Sequence, residues 1–217
     1  METDYRLVGK KIVPLMLNWA RTNLRVFPWR EEITPYRVFI AEMLLKRTTA
    51  TAVSKFYNDF LSQYPSITAL SKANITNLES LLKRLGLQKI RAKTLYETSK
   101  YIADNYNSII PDNKNELMKI PYIGPYSAGA ILSMGYNIPA IMVDSNAIRF
   151  YSRLFGTTAN IKIISRIAEE IMPYKEHSIY NLSVLDIGAL ICRNKNPKCT
   201  ICPIKQFCKS SGKPNYL

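Results

Sequence analysis

Leu117–Asn146 reads LMKIPYIGPYSAGAILSMGYNIPAIMVDSN: a short polar-capped segment, a Pro/Gly hairpin, an apolar run rich in small residues, and an acid opening another helix. Ile120 to Pro125 cannot be helical. Pro121 restricts the residue before it, Gly124 can supply an unusual backbone angle, and Pro125 suits the first turn of a new helix. Two helices therefore meet at a tight turn. The second points unpaired backbone N–H groups outward, and these can hold a phosphate; a plain helix connection has the same signature.

On the N-terminal side the pattern stays helical. Leu7, Ile12, Leu15, Met16, Trp19 and Ala20 recur at helical spacing over residues 7–24, up to a turn at Phe27-Pro28-Trp29. Thr34 as N-cap and Pro35 at the first helical position predict a second, largely buried helix through Leu45. A third is expected over 49–63, and Ser66 opens a turn or two. Thr76-Asn77-Leu78-Glu79 has capping-box order ahead of Leu81, Leu82 and Leu85, with Gly86 as the stop. Residues 88–106 predict a longer helix with Lys89, Arg91 and Lys93 near its start, and Asn113–Glu116 repeats the capping pattern. Beyond Asp144 three more helices are expected, the last running to Cys192. No stretch alternates with a period of two, so the fold class is all-α.

Thirty Lys and Arg against sixteen Asp and Glu give a formal net charge of +14 over 217 residues, a balance that favours a polyanionic partner. The basic residues are spread along the chain, which argues for nucleic acid over a membrane surface. No apolar run is long enough to span a bilayer, and METDYRLVGKK lacks the order of a signal peptide. A cytoplasmic, nucleoid-associated monomer with no membrane partner is the expectation.

All four cysteines, Cys192, Cys199, Cys202 and Cys208, lie in one C-terminal segment, with six, two and five residues between them. A secreted disulfide scaffold distributes its cysteines differently. Four thiolates on a short loop can close a tetrahedral zinc site or hold an iron–sulfur cluster. Structural zinc usually comes as two close pairs, whereas only Cys199 and Cys202 form one here.

With hairpin, acid and cysteine loop in this order, the chain resembles the helix-hairpin-helix/Gly-Pro-Asp DNA glycosylases of the endonuclease III superfamily, from about Trp29 to Cys208. The resemblance implies two helical domains: a six-helix barrel over 28–134, and residues 1–27 plus 135–217 as a domain holding a [4Fe–4S] cluster on the four cysteines. It implies double-stranded DNA as partner, with a mismatched base flipped out. The basic side chains around the cysteines, Lys195, Lys198, Lys205 and Lys209, would then face phosphates.

The family's catalytic aspartate falls on Asp144, which read alone is an N-cap. A carboxylate beside the sugar stabilises the oxocarbenium-like state and assists an attacking water. Bifunctional relatives carry a lysine where this chain has Tyr126, and a phenol forms no Schiff base, so a monofunctional enzyme is expected. Glu42 and Tyr126 are expected to line the base pocket. Arg47 or Lys46, with Leu87 and Gln88, are candidate wedges; Arg91 and Lys119 are placed to touch phosphate, and Gly124 to meet backbone.

The segments Ala41–Thr49, Gly124–Ser127 and Met142–Asn146 resemble archaeal G·T mismatch thymine glycosylases. Adenine glycosylases share Glu42 but carry an additional C-terminal domain, while this chain stops nine residues after Cys208. The expectation is therefore removal of thymine, and uracil, opposite guanine; the alternatives are an adenine glycosylase acting opposite 8-oxoguanine or guanine, and a non-catalytic DNA-binding iron–sulfur protein. Two departures stand out. Most relatives have Leu-Pro-Gly-Val-Gly where this chain has Ile120-Pro121-Tyr122-Ile123-Gly124, and Pro125 lacks an N–H. His177, the only histidine, reads as surface or capping.

Overall fold

The structure, a computed structural model, describes residues 4–211. Among these residues there is no strand, and there are twelve α-helices: α1 Tyr5–Asn23, α2 Pro35–Leu45, α3 Ala50–Ser54, α4 Tyr57–Gln63, α5 Ile67–Ser71, α6 Ile75–Leu82, α7 Gln88–Tyr106, α8 Lys114–Leu117, α9 Pro125–Ala130, α10 Ser145–Phe155, α11 Ile161–Ile171 and α12 His177–Leu190. None of the described helices is long and apolar enough to cross a membrane. The chain divides into two compact units: one runs Val26–Ile138, and the other joins the chain up to Arg25 to the chain from Pro139 onward.

In the unit Val26–Ile138, α2 starts where Thr34 caps it, its hydroxyl accepting from the Arg37 N–H at 3.2 Å, with Pro35 in the first turn. Every residue from Val38 to Leu44 is buried. A helix enclosed on all sides belongs at the centre, and α3, α7, α9 and the turn after α9 pack on it. α7 buries Ala92, Leu95, Ser99 and Ile102 at helical spacing and packs on α5 and α6. After α9 the backbone widens into a π turn, Ile131–Gly135, which the sequence did not announce. Gly135 is needed there: a Cβ on it would lie 2.8 Å from the Cα of Pro35.

Three local expectations are corrected in this unit. The single helix expected over 49–63 is two, α3 and α4, because the chain tightens into a turn at Lys55-Phe56, where the Phe56 N–H bonds to the Val53 carbonyl at 3.0 Å and both Phe56 and Tyr57 are buried. The cap of α6 is Asn74, which accepts from the Asn77 N–H at 3.1 Å, so Thr76 lies inside the helix; asparagine caps at least as well as threonine and comes first. In the hairpin, Gly124 is extended (φ −97°, ψ 178°) while Tyr122 takes the left-handed angle (φ 66°). A side chain held there costs about 1–2 kcal/mol, which the surrounding bonds must offset.

In the other unit, α1 turns Gly9, Ile12, Met16 and Ala20 inward and packs on α11 and α12, while α10 packs on both of these. α12 is buried at every residue from Tyr180 to Gly188. Asp186, fully enclosed, accepts from the backbone N–H and Nε of Arg25 at 2.8 and 2.7 Å, tying the end of α1 to α12. His177 is buried rather than on the surface, because it opens a helix that is enclosed nearly throughout; its Nδ1 lies 3.4 Å from the Ser178 hydroxyl.

Candidate active site

Met142 and Val143 are buried, and the chain then turns into α10 with Asp144 as its extended N-cap. Both carboxylate oxygens are engaged: Oδ1 accepts the Ala147 N–H and Oδ2 accepts Nδ2 of Asn146, each at 2.8 Å. Asn146 is itself held. Its Oδ1 accepts from Nη2 of Arg149 at 2.9 Å, and the same nitrogen donates to the Gly188 carbonyl at 2.6 Å. Nε of Arg149 donates to the Cys192 carbonyl at 2.7 Å. A continuous run of hydrogen bonds thus joins the Asp144 carboxylate to the backbone of the first cysteine. Gly188 lets this happen, since a Cβ on it would lie 2.8 Å from the Cβ of Asn146.

Neither Asn146 nor Arg149 was singled out from sequence. The signal existed: an amide two residues after the acid and an arginine three further on share one face of a helix.

In the unit Val26–Ile138, Glu42 sits in the buried run of α2, and half-buried Tyr126 is the second residue of α9, which packs on α2. Lys46, at the end of α2, is not extended as a wedge. Its ammonium donates to the Tyr122 carbonyl at 2.5 Å; burial pulls its pKa below the usual lysine value, and the Glu42 charge pushes it back up. Arg47 and Leu87 both take left-handed angles and are exposed, as a protruding residue requires, whereas Gln88 is half-buried at the start of α7.

Arg91 is turned inward rather than toward a phosphate. Its Nε donates to the Gly86 carbonyl and its Nη1 to that of Leu44, both at 2.9 Å, because one turn into α7 its side chain reaches the carbonyl end of α2. Lys119 is exposed and paired with Glu116 at 2.7 Å. Gly124 has open space where a Cβ would be.

The four cysteines are unbridged and half-buried. Burial pushes the Cys202 thiol up to about 11, and it also feels Cys208, Cys192 and Cys199, so the four sulfurs lie within electrostatic range of one another. Sγ of Cys208 donates to the Arg153 carbonyl at 3.5 Å, while the Arg153 guanidinium reaches Sγ of Cys192 at 3.6 Å and the carbonyls of Arg193 and Asn194. Among the described residues no three His, Cys, Asp or Glu are arranged to hold a single metal ion. Four unbridged thiols on one segment have the donor chemistry for either a single thiophilic ion or an iron–sulfur cluster.

Residues 40–174 match the family described as HhH-GPD superfamily base excision DNA repair protein. The adenine DNA glycosylase of Buchnera aphidicola subsp. Baizongia pistaciae is 36% identical over 90% of this chain, which spans 57% of that protein's length. The thymine/uracil-DNA glycosylase of Methanothermobacter thermautotrophicus is 31% identical, with 92% of each chain covered. Among solved structures, a thermostable thymine-DNA glycosylase superposes with a TM-score of 0.91 at 31% identity, covering 95% of this chain and 97% of that one.

Proposed function

This chain belongs to the HhH-GPD superfamily of base excision DNA repair proteins, and from that premise we propose that it is a monofunctional DNA glycosylase. It removes thymine or uracil mispaired with guanine from duplex DNA and leaves an intact abasic site. The observation that carries this reading is Tyr126 in α9, in a chain that matches a thymine/uracil glycosylase over nearly the full length of both.

The C1′–N1 bond breaks with its electron pair leaving on the pyrimidine. Asp144 faces the cationic sugar, and its carboxylate takes a proton from the water that adds at C1′. Its two hydrogen bonds fix the direction of its remaining lone pairs. Glu42 and Tyr126 receive the flipped base, the glutamate by hydrogen bonding and the phenol by packing. Without an amine at position 126 no Schiff base forms, and the strand stays whole. Arg47 and Leu87 fill the vacated stack, and the hairpin with Gly124 and Lys119 meets the backbone.

Cys192, Cys199, Cys202 and Cys208 hold a [4Fe–4S] cluster, which supplies iron–thiolate links that fix the loop bearing Lys195, Lys198, Lys205 and Lys209. The role assigned to it is structural, and these lysines steer the loop to phosphates.

A second reading, removal of adenine opposite 8-oxoguanine or guanine, draws on the 36% identity to an adenine glycosylase. Duplexes with G·T, G·U, A·8-oxoguanine and A·G, incubated with the protein and then treated with alkali, separate the two. Cleavage at thymine and uracil is expected; cleavage at the adenine strand alone replaces the first reading with the second. Borohydride is expected to trap no covalent adduct. Thymine and uracil are expected to differ modestly, because one methyl group in a pocket is worth about 1–3 kcal/mol.

A further inference from the structure

The bond from Lys46 to the Tyr122 carbonyl joins residues 76 apart in sequence, the end of α2 and the hairpin between α8 and α9. Other bonds hold the same hairpin. The Thr98 hydroxyl, which donates to the Thr94 carbonyl at 2.7 Å, also lies 3.1 Å from the Pro121 carbonyl, and the Tyr122 phenol donates to Oε2 of Glu97 at 2.6 Å. The Pro121 carbonyl therefore lies against α7, and the Tyr122 carbonyl is drawn onto the end of α2. Lys46 also stands four residues after Glu42, as the C-cap just past the last residue of α2. Lys46 is exposed overall; partial burial lowers its pKa and the Glu42 charge raises it.

We propose that Lys46 is a positioning residue: it fastens the hairpin to the end of α2, the helix that carries Glu42, so that the backbone grip and the base pocket move as one body. A hydrogen bond from a charged donor is roughly twice as strong as one between neutral groups. Because it ends on a backbone carbonyl, the tether does not depend on which side chain occupies position 122. The left-handed angle of Tyr122 aims that carbonyl, and the tether holds the angle in return.

The kinetic part rests on the glycosylase reading; the tether does not. In free protein, Lys46→Met is expected to speed hydrogen exchange of the amides of residues 122–124 about tenfold, the loss of one charge-assisted bond, while α12 exchanges unchanged. On a duplex carrying a tetrahydrofuran abasic analogue, affinity falls several-fold, but the slope of log K against log salt stays as in wild type, because no phosphate contact is lost. Saturated single-turnover excision from a G·U duplex falls about tenfold with the hairpin loosened from α2. Lys46→Arg, which keeps charge and donor, recovers all three to within about threefold.

Unchanged hairpin exchange in Lys46→Met overturns the proposal. So does a salt slope shallower by about one charge, which marks a phosphate contact instead. If wild-type protein excises nothing from any duplex, the glycosylase reading falls, and the exchange experiment still decides the tether.

Discussion

Nδ2 of Asn146 donates to Oδ2 of Asp144 at 2.8 Å, and the oxygen at the other end of the same amide accepts from Arg149, so the asparagine cannot turn without breaking one of the two bonds. The carboxylate is thereby aimed by a side chain whose own orientation is fixed from behind.

Asp144→Asn keeps an oxygen for the Ala147 N–H but sets two amide nitrogens against each other. It is expected to cost about 1 kcal/mol in stability while excision falls about a hundred- to a thousandfold. Single-turnover kinetics alongside binding to an abasic-analogue duplex check this. An equal loss of binding would mark Asp144 as chiefly a helix cap.

Gly188→Ala places a methyl 2.8 Å from the Cβ of Asn146 and 3.1 Å from its carbonyl oxygen. Asn146 must shift, and Asp144 with it. The expectation is a loss of about 1–3 kcal/mol in chemical denaturation, with excision slowed about ten- to a hundredfold by misalignment. Excision unchanged in a folded variant would show that Asn146 does not aim the acid.

Arg91→Met removes the donors to the Gly86 and Leu44 carbonyls. A loss of about 2–4 kcal/mol is expected from two charged hydrogen bonds, with no change in the salt dependence of DNA binding. A salt slope reduced by about one charge would return Arg91 to the phosphate role read from sequence.

Cys199→Ser leaves three thiols for the cluster. Iron and acid-labile sulfide are expected in equal amounts in wild type and to be largely lost in the variant. Limited proteolysis should then open the chain between Cys192 and Cys208 while the unit Val26–Ile138 stays resistant. Retained iron in the variant would place the cluster elsewhere.

Much of this architecture was legible, and the reason is local chemistry. Thr34-Pro35 and Asn113 announce helix starts because a side-chain oxygen and a proline satisfy an end independently of the rest of the protein. Gly86 and the run from Gln88 to Tyr106 delimit α7 in the same way. All but one of the misses depend on what the chain meets elsewhere, and the exception is local. Thr76 lost its capping role to Asn74, two residues upstream. Arg91 read as a phosphate contact and Lys46 as a wedge, yet each ends on a carbonyl far away in sequence. The left-handed angle went to Tyr122 rather than Gly124, against the preference of both residues, because tertiary bonds hold it. At the candidate site Asp144 was found by motif and spacing, while Asn146 and Arg149, which aim it, carry no motif of their own.

The bond between Arg25 and Asp186 spans 161 residues, and α1 packs on helices that begin only at Ile161. During synthesis, therefore, α1 leaves the ribosome well before the helices it packs on. The contiguous unit Val26–Ile138 can fold while α1 waits with Ile12, Met16 and Ala20 uncovered. Closing so long a loop makes the docking of α1 follow the emergence of α12, and the Arg25–Asp186 clasp can form only then.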